Sequence, residues 1–150
     1  CAFQDLSEAE QMISGYQNEI RNQNGMRWGI VLKESGKLIG TCGFHAISDY
    51  HKRIETGYDL NRNYWGKGFM SEALSLIIDH AFNTSDVNRI EAFVETPNTA
   101  SRALLEKLGF RLEGLLREHE MCRGNLIDIQ ILSLLRKERK AADGEKDRQD

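Results

Sequence analysis

The chain has little of several things, and each scarcity excludes a class of protein. Pro97 is the one proline among 150 residues, and no stretch is rich in Pro, Gly or Ser, so nothing reads as an interdomain linker. Cys1, Cys42 and Cys122 are odd in number and form no Cys-x-x-Cys pair, which argues against a disulfide scaffold or a zinc site and for a reducing compartment. No apolar run approaches the roughly 18 to 20 residues needed to span a bilayer, and the N-terminus lacks the basic and apolar regions of a signal peptide. The expected location is cytoplasmic, with no membrane partner. A formal charge of −3 argues against a nucleic-acid surface without excluding a local basic patch. Two nucleotide motifs are also missing. Lys67 falls between Gly66 and Gly68 with no Gly-Lys-Ser/Thr after a four-residue spacer, and Ser71 stands where a dinucleotide fingerprint needs its third glycine.

What is present suits one domain with a real core: 40% hydrophobic and 29% charged residues over 150 positions. Leu6, Ala9, Met12, Ile13, Tyr16 and Ile20 recur as one helical stripe between Asp5 and about Gln23, with Ser7 and Glu10 spaced as a capping box. Trp28 to Lys33 and Leu38 to Ile47 read as strands joined by a turn at Glu34 to Lys37. Arg53 to Leu60 reads as a third strand and Arg89 to Glu95 as a fourth, with a helix from about Gly68 to Asn83 between them. Asn98 opens a second helix that turns Ala100, Ala103, Leu104 and Leu108 toward the core, and Gly109 suits the left-handed residue after it. Phe110 to Cys122 and Leu126 to about Leu135 form a closing hairpin. The final residues, almost all charged or small, read as a frayed tail. The expectation is one α+β domain over 1–136 and a charged tail over 137–150.

The junction from Ile54 to Ser71 organises the rest. Here a strand passes through a glycine-bearing turn into a helix whose stripe is Ala73, Leu74, Ile77, Ile78, Ala81 and Phe82. The first turn of that helix carries unpaired backbone N–H groups, and its dipole favours negative charge. Gly66 and Gly68 permit a sharp bend and close approach, so a phosphate-bearing ligand is the first hypothesis. On local grounds alone the same glycines also serve as simple punctuation.

The run Asn63-Tyr-Trp-Gly66-Lys-Gly68-Phe-Met-Ser-Glu-Ala-Leu, then Asn98-Thr-Ala-Ser101 and Glu106-Lys-Leu-Gly109-Phe110, resembles the GNAT N-acetyltransferases. Gly114-Leu-Leu-Arg117-Glu-His119 and Asp128 to Leu135 resemble their ribosomal-protein N-terminal (RimJ/RimL) branch. The resemblance implies the GNAT fold, a mixed and mostly antiparallel twisted sheet with a splayed central strand pair and flanking helices. It implies acetyl-coenzyme A as cosubstrate, no metal, and a primary amine as acceptor, above all the N-terminal amine of a protein. By the same resemblance, backbone N–H groups of Trp65, Gly66, Lys67, Gly68, Phe69, Met70 and Ser71 hold the pyrophosphate. Asn63 stands where the family has Gln or Arg, which implies that one hydrogen bond on the phosphate side is missing or is carried by water. Tyr58-Asp59-Leu60 pairs with the pantetheine arm as a pseudo-strand, and Asn98 binds the arm near its thiol end. Asn98 reads equally as a helix cap.

The chemistry asks for a neutral amine to attack the thioester carbonyl, and for a proton or hydrogen bond on the departing sulfur. Many relatives place a tyrosine on the second helix for the latter task, where this chain has Leu105. Ser101 matches the serine proposed to act there in the RimL-like branch; its other reading is a serine bonded to its own helix. Glu55 is the candidate base, alone or through water, and reads equally as a solvated strand residue. An α-amine titrates near 8 and a lysine near 10.4, so an N-terminal acceptor needs only a weak base; both values are approximate. His45 and His51 lie near Glu55 in sequence and could contribute beside it, although a histidine in a strand or loop is more often structural; His80 and His119 read as structural. Members of the family begin with a strand and a helix that carry part of the acceptor site, so the expectation is that this chain, opening at Cys1 in the second helical segment, lacks both. A polyamine or aminoglycoside acceptor, with Asp49, Glu55 and Asp59 as pocket acids, stays open, and so does a non-catalytic acyl-coenzyme-A sensor. By analogy with the family, the closing hairpin supports a homodimer.

Overall fold

A computed structural model describes residues 5–139. In chain order the elements are α1 (Leu6–Arg21), β1 (Met26–Val31), β2 (Leu38–Ser48), β3 (Arg53–Leu60), a single 3-10 turn (Arg62–Tyr64), α2 (Phe69–Thr84), β4 (Arg89–Glu95), α3 (Thr99–Lys107), β5 (Arg111–Cys122) and β6 (Asn125–Leu135). The strands form one sheet in the order β1-β2-β3-β4-β6-β5. Every neighbouring pair is antiparallel except β3 and β4, which α2 joins as a parallel crossover. This is the α+β sheet expected from the sequence.

The parallel pair fixes the shape of the molecule. β3 and β4 are paired only at Arg53/Arg89, Ile54/Ile90 and Glu55/Glu91, after which their C-terminal halves separate. Beyond Glu55, β3 remains paired with β2 through Leu60, and β4 with β6 through Glu95. A wedge therefore opens in mid-sheet with one strand edge on each side.

Alternation along the strands sends Cys42, Phe44, Ile54, Ile90, Ala92, Val94, Leu132 and Leu134 to one face. There they pack against Met70, Leu74, Ile77, Ile78, Ala81 and Phe82 of α2, and Leu105 and Leu108 of α3. Fully burying each large apolar side chain of that set contributes about 1.5–3 kcal/mol. α1 lies on the opposite face, where the Arg27 guanidinium sits 4.1 Å from the centre of the Tyr16 ring.

Several local expectations are corrected. Asp5 caps α1, its Oδ1 accepting the Glu8 N–H at 3.0 Å, in place of a Ser7/Glu10 box. No residue of α1 is buried, and Leu6, Ile13 and Ile20 are 74, 52 and 47% exposed, so its stripe is only partly covered. In α3 the core residues are Leu105 and Leu108, while Ala100 and Ala103 are exposed. The start of the charged tail is not frayed: Arg139 Nε reaches Asp79 Oδ1 at 2.7 Å and its Nη2 reaches Ser75 at 2.7 Å. Cys42 is a buried free thiol, Cys122 is disulfide-bonded against the expectation from cysteine spacing, and Cys1 lies outside the described residues.

Candidate active site

The glycine turn at the end of β3 is built for an anion. Gly66 and Gly68 adopt φ of +69° and +83°, a left-handed backbone that L side chains rarely take. A Cβ at either position would meet no atom within 4 Å, so conformation and not crowding requires glycine, and the space over the turn is open. Gly68 caps α2 without a side-chain hydrogen bond, and the first helical bond runs from Glu72 N to Gly68 O. The N–H groups of Phe69, Met70 and Ser71 precede that bond and point out of the helix start with its positive dipole end. Met70 gives only its backbone here, because its side chain is buried in the core.

Trp65 stands apart from this cradle. Its backbone N–H donates to Arg62 O at 3.1 Å, and its indole Nε1 donates to Leu60 O at 2.8 Å. One carbonyl of the Tyr58-Asp59-Leu60 edge is thus already engaged within the chain. Cations that the sequence left unassigned gather round the turn: the Lys67 and Lys37 ammonium groups lie 5.5 and 5.8 Å from the Tyr64 ring centre, and the Arg62 guanidinium 5.6 Å from that of Trp65. A chain of net charge −3 carries a basic rim at this end of the wedge.

On the same face, two distant side chains meet at the wedge. Tyr58 Oη lies 2.5 Å from Ser101 Oγ, joining β3 to the first turn of α3. Asn98 caps that helix, its Oδ1 accepting the Ser101 N–H at 3.1 Å, which leaves the Nδ2 donors for another partner. The alternative reading of Ser101, a hydroxyl spent on its own helix, is not what the geometry has: the Oγ partner is Tyr58, and Pro97 O accepts the Thr99 N–H. Burial pushes the Tyr58 phenol up to about 12, against a smaller lowering by Ser101, so the phenol stays protonated across the working range. The sequence pattern assigns a role only to the backbone of Tyr58. Leu105, at the position where many relatives carry a tyrosine, is fully buried.

The opposite face of β3 carries Glu55, Gly57 and Asp59. Glu55 sits directly across from His45 in the β2/β3 ladder, and His45 Nε2 lies 2.9 Å from Glu55 Oε1. Hydrogen bonding to Glu55 raises the His45 pKa above its usual value, burial opposing. Gly57 makes room for this pair: a Cβ there would stand 3.1 Å from His45 Cε1 and 3.3 Å from Arg27 Nη1. Arg27 in turn donates to Gly57 O at 2.9 Å and to Asp59 Oδ2 at 2.8 Å, so the Asp59 carboxylate is already paired. Across the wedge, Glu91 pairs with Arg89 at 2.7 Å, and Phe93 stacks against His119, ring centres 6.0 Å apart. His51 stays in the exposed β2–β3 turn against Tyr50, and His80 meets the edge of Trp28.

The sequence that builds this wedge matches the acetyltransferase (GNAT) domain family over residues 3–111. The chain belongs to the GNAT acetyltransferase family. This acetyltransferase is 47% identical over 136 residues to the N-acetyltransferase p20 of Bacillus licheniformis, covering 91% of this chain and 76% of that one. Among solved structures it superposes on the ribosomal-protein-S5-alanine acetyltransferase of Vibrio fischeri with a TM-score of 0.75 at 27% identity, covering 84% of this chain and 69% of the other. The microcin C7 self-immunity acetyltransferase MccE, solved with acetyl-CoA and AMP, superposes with a TM-score of 0.77 at 26% identity, covering 87% and 72%. GNAT enzymes use acetyl-CoA, and the residues present fit its pyrophosphate: open space over Gly66 and Gly68, uncapped N–H groups at α2 and a rim of cations.

Proposed function

We propose that this N-acetyltransferase modifies the N-terminal α-amine of a protein by direct attack on the thioester, with Glu55 and Ser101 handling protons from opposite faces of the sheet. The observation that carries the reading is the Tyr58–Ser101 contact of 2.5 Å at the open wedge, on the face that also bears the cradle. Acetyl-CoA brings the activated acyl group. The backbone N–H groups of Gly66, Lys67, Gly68, Phe69, Met70 and Ser71 would hold its phosphates, with Trp65 bracing the turn. The edge at Tyr58-Asp59-Leu60 and the Asn98 amide would hold its arm.

As the C–N bond forms and the C–S bond breaks, the electron pair leaves on sulfur, where the Ser101 hydroxyl donates a hydrogen bond at the positive end of α3. The proton shed by the amine passes to Glu55 directly or through water. A free α-amine, titrating near 8, needs no stronger base than a carboxylate at about pH 8.

Two observations favour a peptide N-terminus over a polyamine. Asp59 pairs with Arg27 and one Glu55 oxygen is held by His45, which leaves only Asp49 of the three proposed pocket acids without such a contact, and Asp49 sits in an exposed turn. The Vibrio fischeri structure, a ribosomal-protein acetyltransferase at 27% identity, supports the same choice.

The test is release of free coenzyme A from acetyl-CoA, with peptides beginning in Ala, Ser or Met set beside spermidine and an aminoglycoside. Thiol released with peptides only, and slowed at least ~100-fold in Ser101→Ala, is the expected outcome. Release with polyamine or aminoglycoside alone would move the acceptor to a small amine. Cofactor binding without release in any arm would favour an acyl-CoA sensor.

A further inference from the structure

We infer that Tyr58 is a positioning residue for catalysis: its phenol donates to Ser101 Oγ and so aims the serine hydroxyl at the departing sulfur. The inference rests on the proposed role of Ser101. Its geometric basis is a 2.5 Å contact between residues 43 positions apart, made where β3 leaves β4.

Which atom donates follows from what each has available. Tyr58 is enclosed among Cys42 on the neighbouring strand and the core under α2 and α3, and its hydroxyl has Ser101 as its hydrogen-bond partner. A buried phenol O–H left without an acceptor costs the desolvation of that group, so it donates to Ser101. Ser101 Oγ then acts as acceptor, and its own hydrogen must go elsewhere. The hydroxyls of Ser14, Thr84 and Ser85 each donate to the carbonyl four residues back, whereas Ser101 Oγ makes its contact with Tyr58 and none with Pro97 O. The serine hydrogen is therefore left to point into the wedge, and a hydroxyl that accepts a hydrogen bond is a better donor in turn. Tyr58 keeps its proton throughout; only its hydrogen bond is used, and the negative charge stays on sulfur. The pair replaces the tyrosine that Leu105 displaces: the phenol comes from the strand and acts through a serine.

The test is a double-mutant cycle on kcat with acetyl-CoA and a peptide acceptor, using Tyr58→Phe, Ser101→Ala and both together. Tyr58→Phe removes one oxygen and keeps the ring in the core. We expect it to lower kcat about tenfold, to leave KM for acetyl-CoA within about twofold, and to cost nothing further in the Ser101→Ala background. A Tyr58→Phe enzyme with native kcat, or losses that multiply in the double variant, would overturn the inference while leaving Ser101 in place. A fully active Ser101→Ala enzyme would instead remove the serine reading and Tyr58 with it. A second measurement does not require Tyr58→Phe to fold. With the four tyrosines labelled at Cζ, Ser101→Ala should shift one 13C resonance, and four unmoved resonances would refute the contact.

Discussion

At the scale of single residues, the proposed base comes with a partner. His45 holds one oxygen of Glu55 at 2.9 Å, and both side chains are about three-quarters buried, 26 and 27% exposed. From α1, Glu19 also raises the His45 pKa, and from β1 Arg27 lowers it. In the proposed mechanism a protonated His45 occupies the Glu55 oxygen that would take the amine's proton, so kcat/KM should gain a rising limb as pH passes the elevated pKa of His45. His45→Gln, neutral at every pH, should lose that limb, keep the one set by the amine at about pH 8, and be the faster enzyme at low pH. Folding stability moves the opposite way. Because the folded-state pKa lies above the unfolded value of about 6.5, the pair stabilises fully below that pH and loses its effect as pH rises through the folded value. Urea denaturation of both forms should therefore show wild type more stable than His45→Gln near pH 6, with the difference shrinking above it. A constant difference across pH would mean that the histidine acts through packing alone.

At the scale of elements, α2 is the part both the sheet and the cradle lean on, and its far end is held by the chain beyond β6. The Arg136 guanidinium donates to the carbonyls of Phe82, Ser85 and Val87 and stacks 5.3 Å from the Phe82 ring centre. Phe82 O and the C-cap Ser85 O belong to the end of α2 and Val87 O to the link that follows it, and all three are answered by a planar fork that a lysine does not reproduce. Arg136→Lys should cost about 2 kcal/mol in urea denaturation, while exposed Lys137→Ala should stay within about 0.5 kcal/mol. Equal, small effects at both positions would show that the cap carries nothing. The same guanidinium also marks where sequence reading stops. The strand bounds Arg53 to Leu60 and Arg89 to Glu95, the stripe of α2 and the glycine turn were legible because each follows from local periodicity or a backbone demand. The phase of α3 was missed because nine residues are too short to fix which of Leu104 and Leu105 faces inward. The stripe of α1 was legible as a pattern, yet periodicity does not say how completely a neighbour covers it. Tyr58 with Ser101, His45 with Glu55, and Arg136 with α2 join side chains from different elements, and no spacing within one segment encodes such a pairing. Of the candidate site, the backbone cradle could be read from glycines, but the partners of its reactive side chains could not.

At the scale of the whole molecule, the wedge between β3 and β4 gives the reaction two entrances. The cradle, Asn98, Ser101 and Tyr58 lie on the α2/α3 face, whereas Glu55 and His45 lie on the face that α1 covers. The sheet is unpaired beyond Glu55 and Glu91, so the wedge is open to both faces, as the proposed direct transfer from a thioester on one face to an amine from the other requires. A covalent acetyl-enzyme would need a nucleophile in the wedge, and the free thiol among the described residues is a poor one: Cys42 is 2% exposed in the core, with its pKa pushed up by burial. Initial rates measured against acetyl-CoA at several fixed peptide concentrations should therefore give intersecting double-reciprocal lines, as a ternary complex requires. Incubation with [14C]acetyl-CoA alone, followed by denaturation and gel filtration, should leave no label on the protein. Parallel lines with stoichiometric labelled chain would instead mean a two-step transfer. The wedge would then serve to expose a protein nucleophile to one substrate at a time, and Ser101, the hydroxyl at its mouth, would be the first residue to examine for the acetyl group.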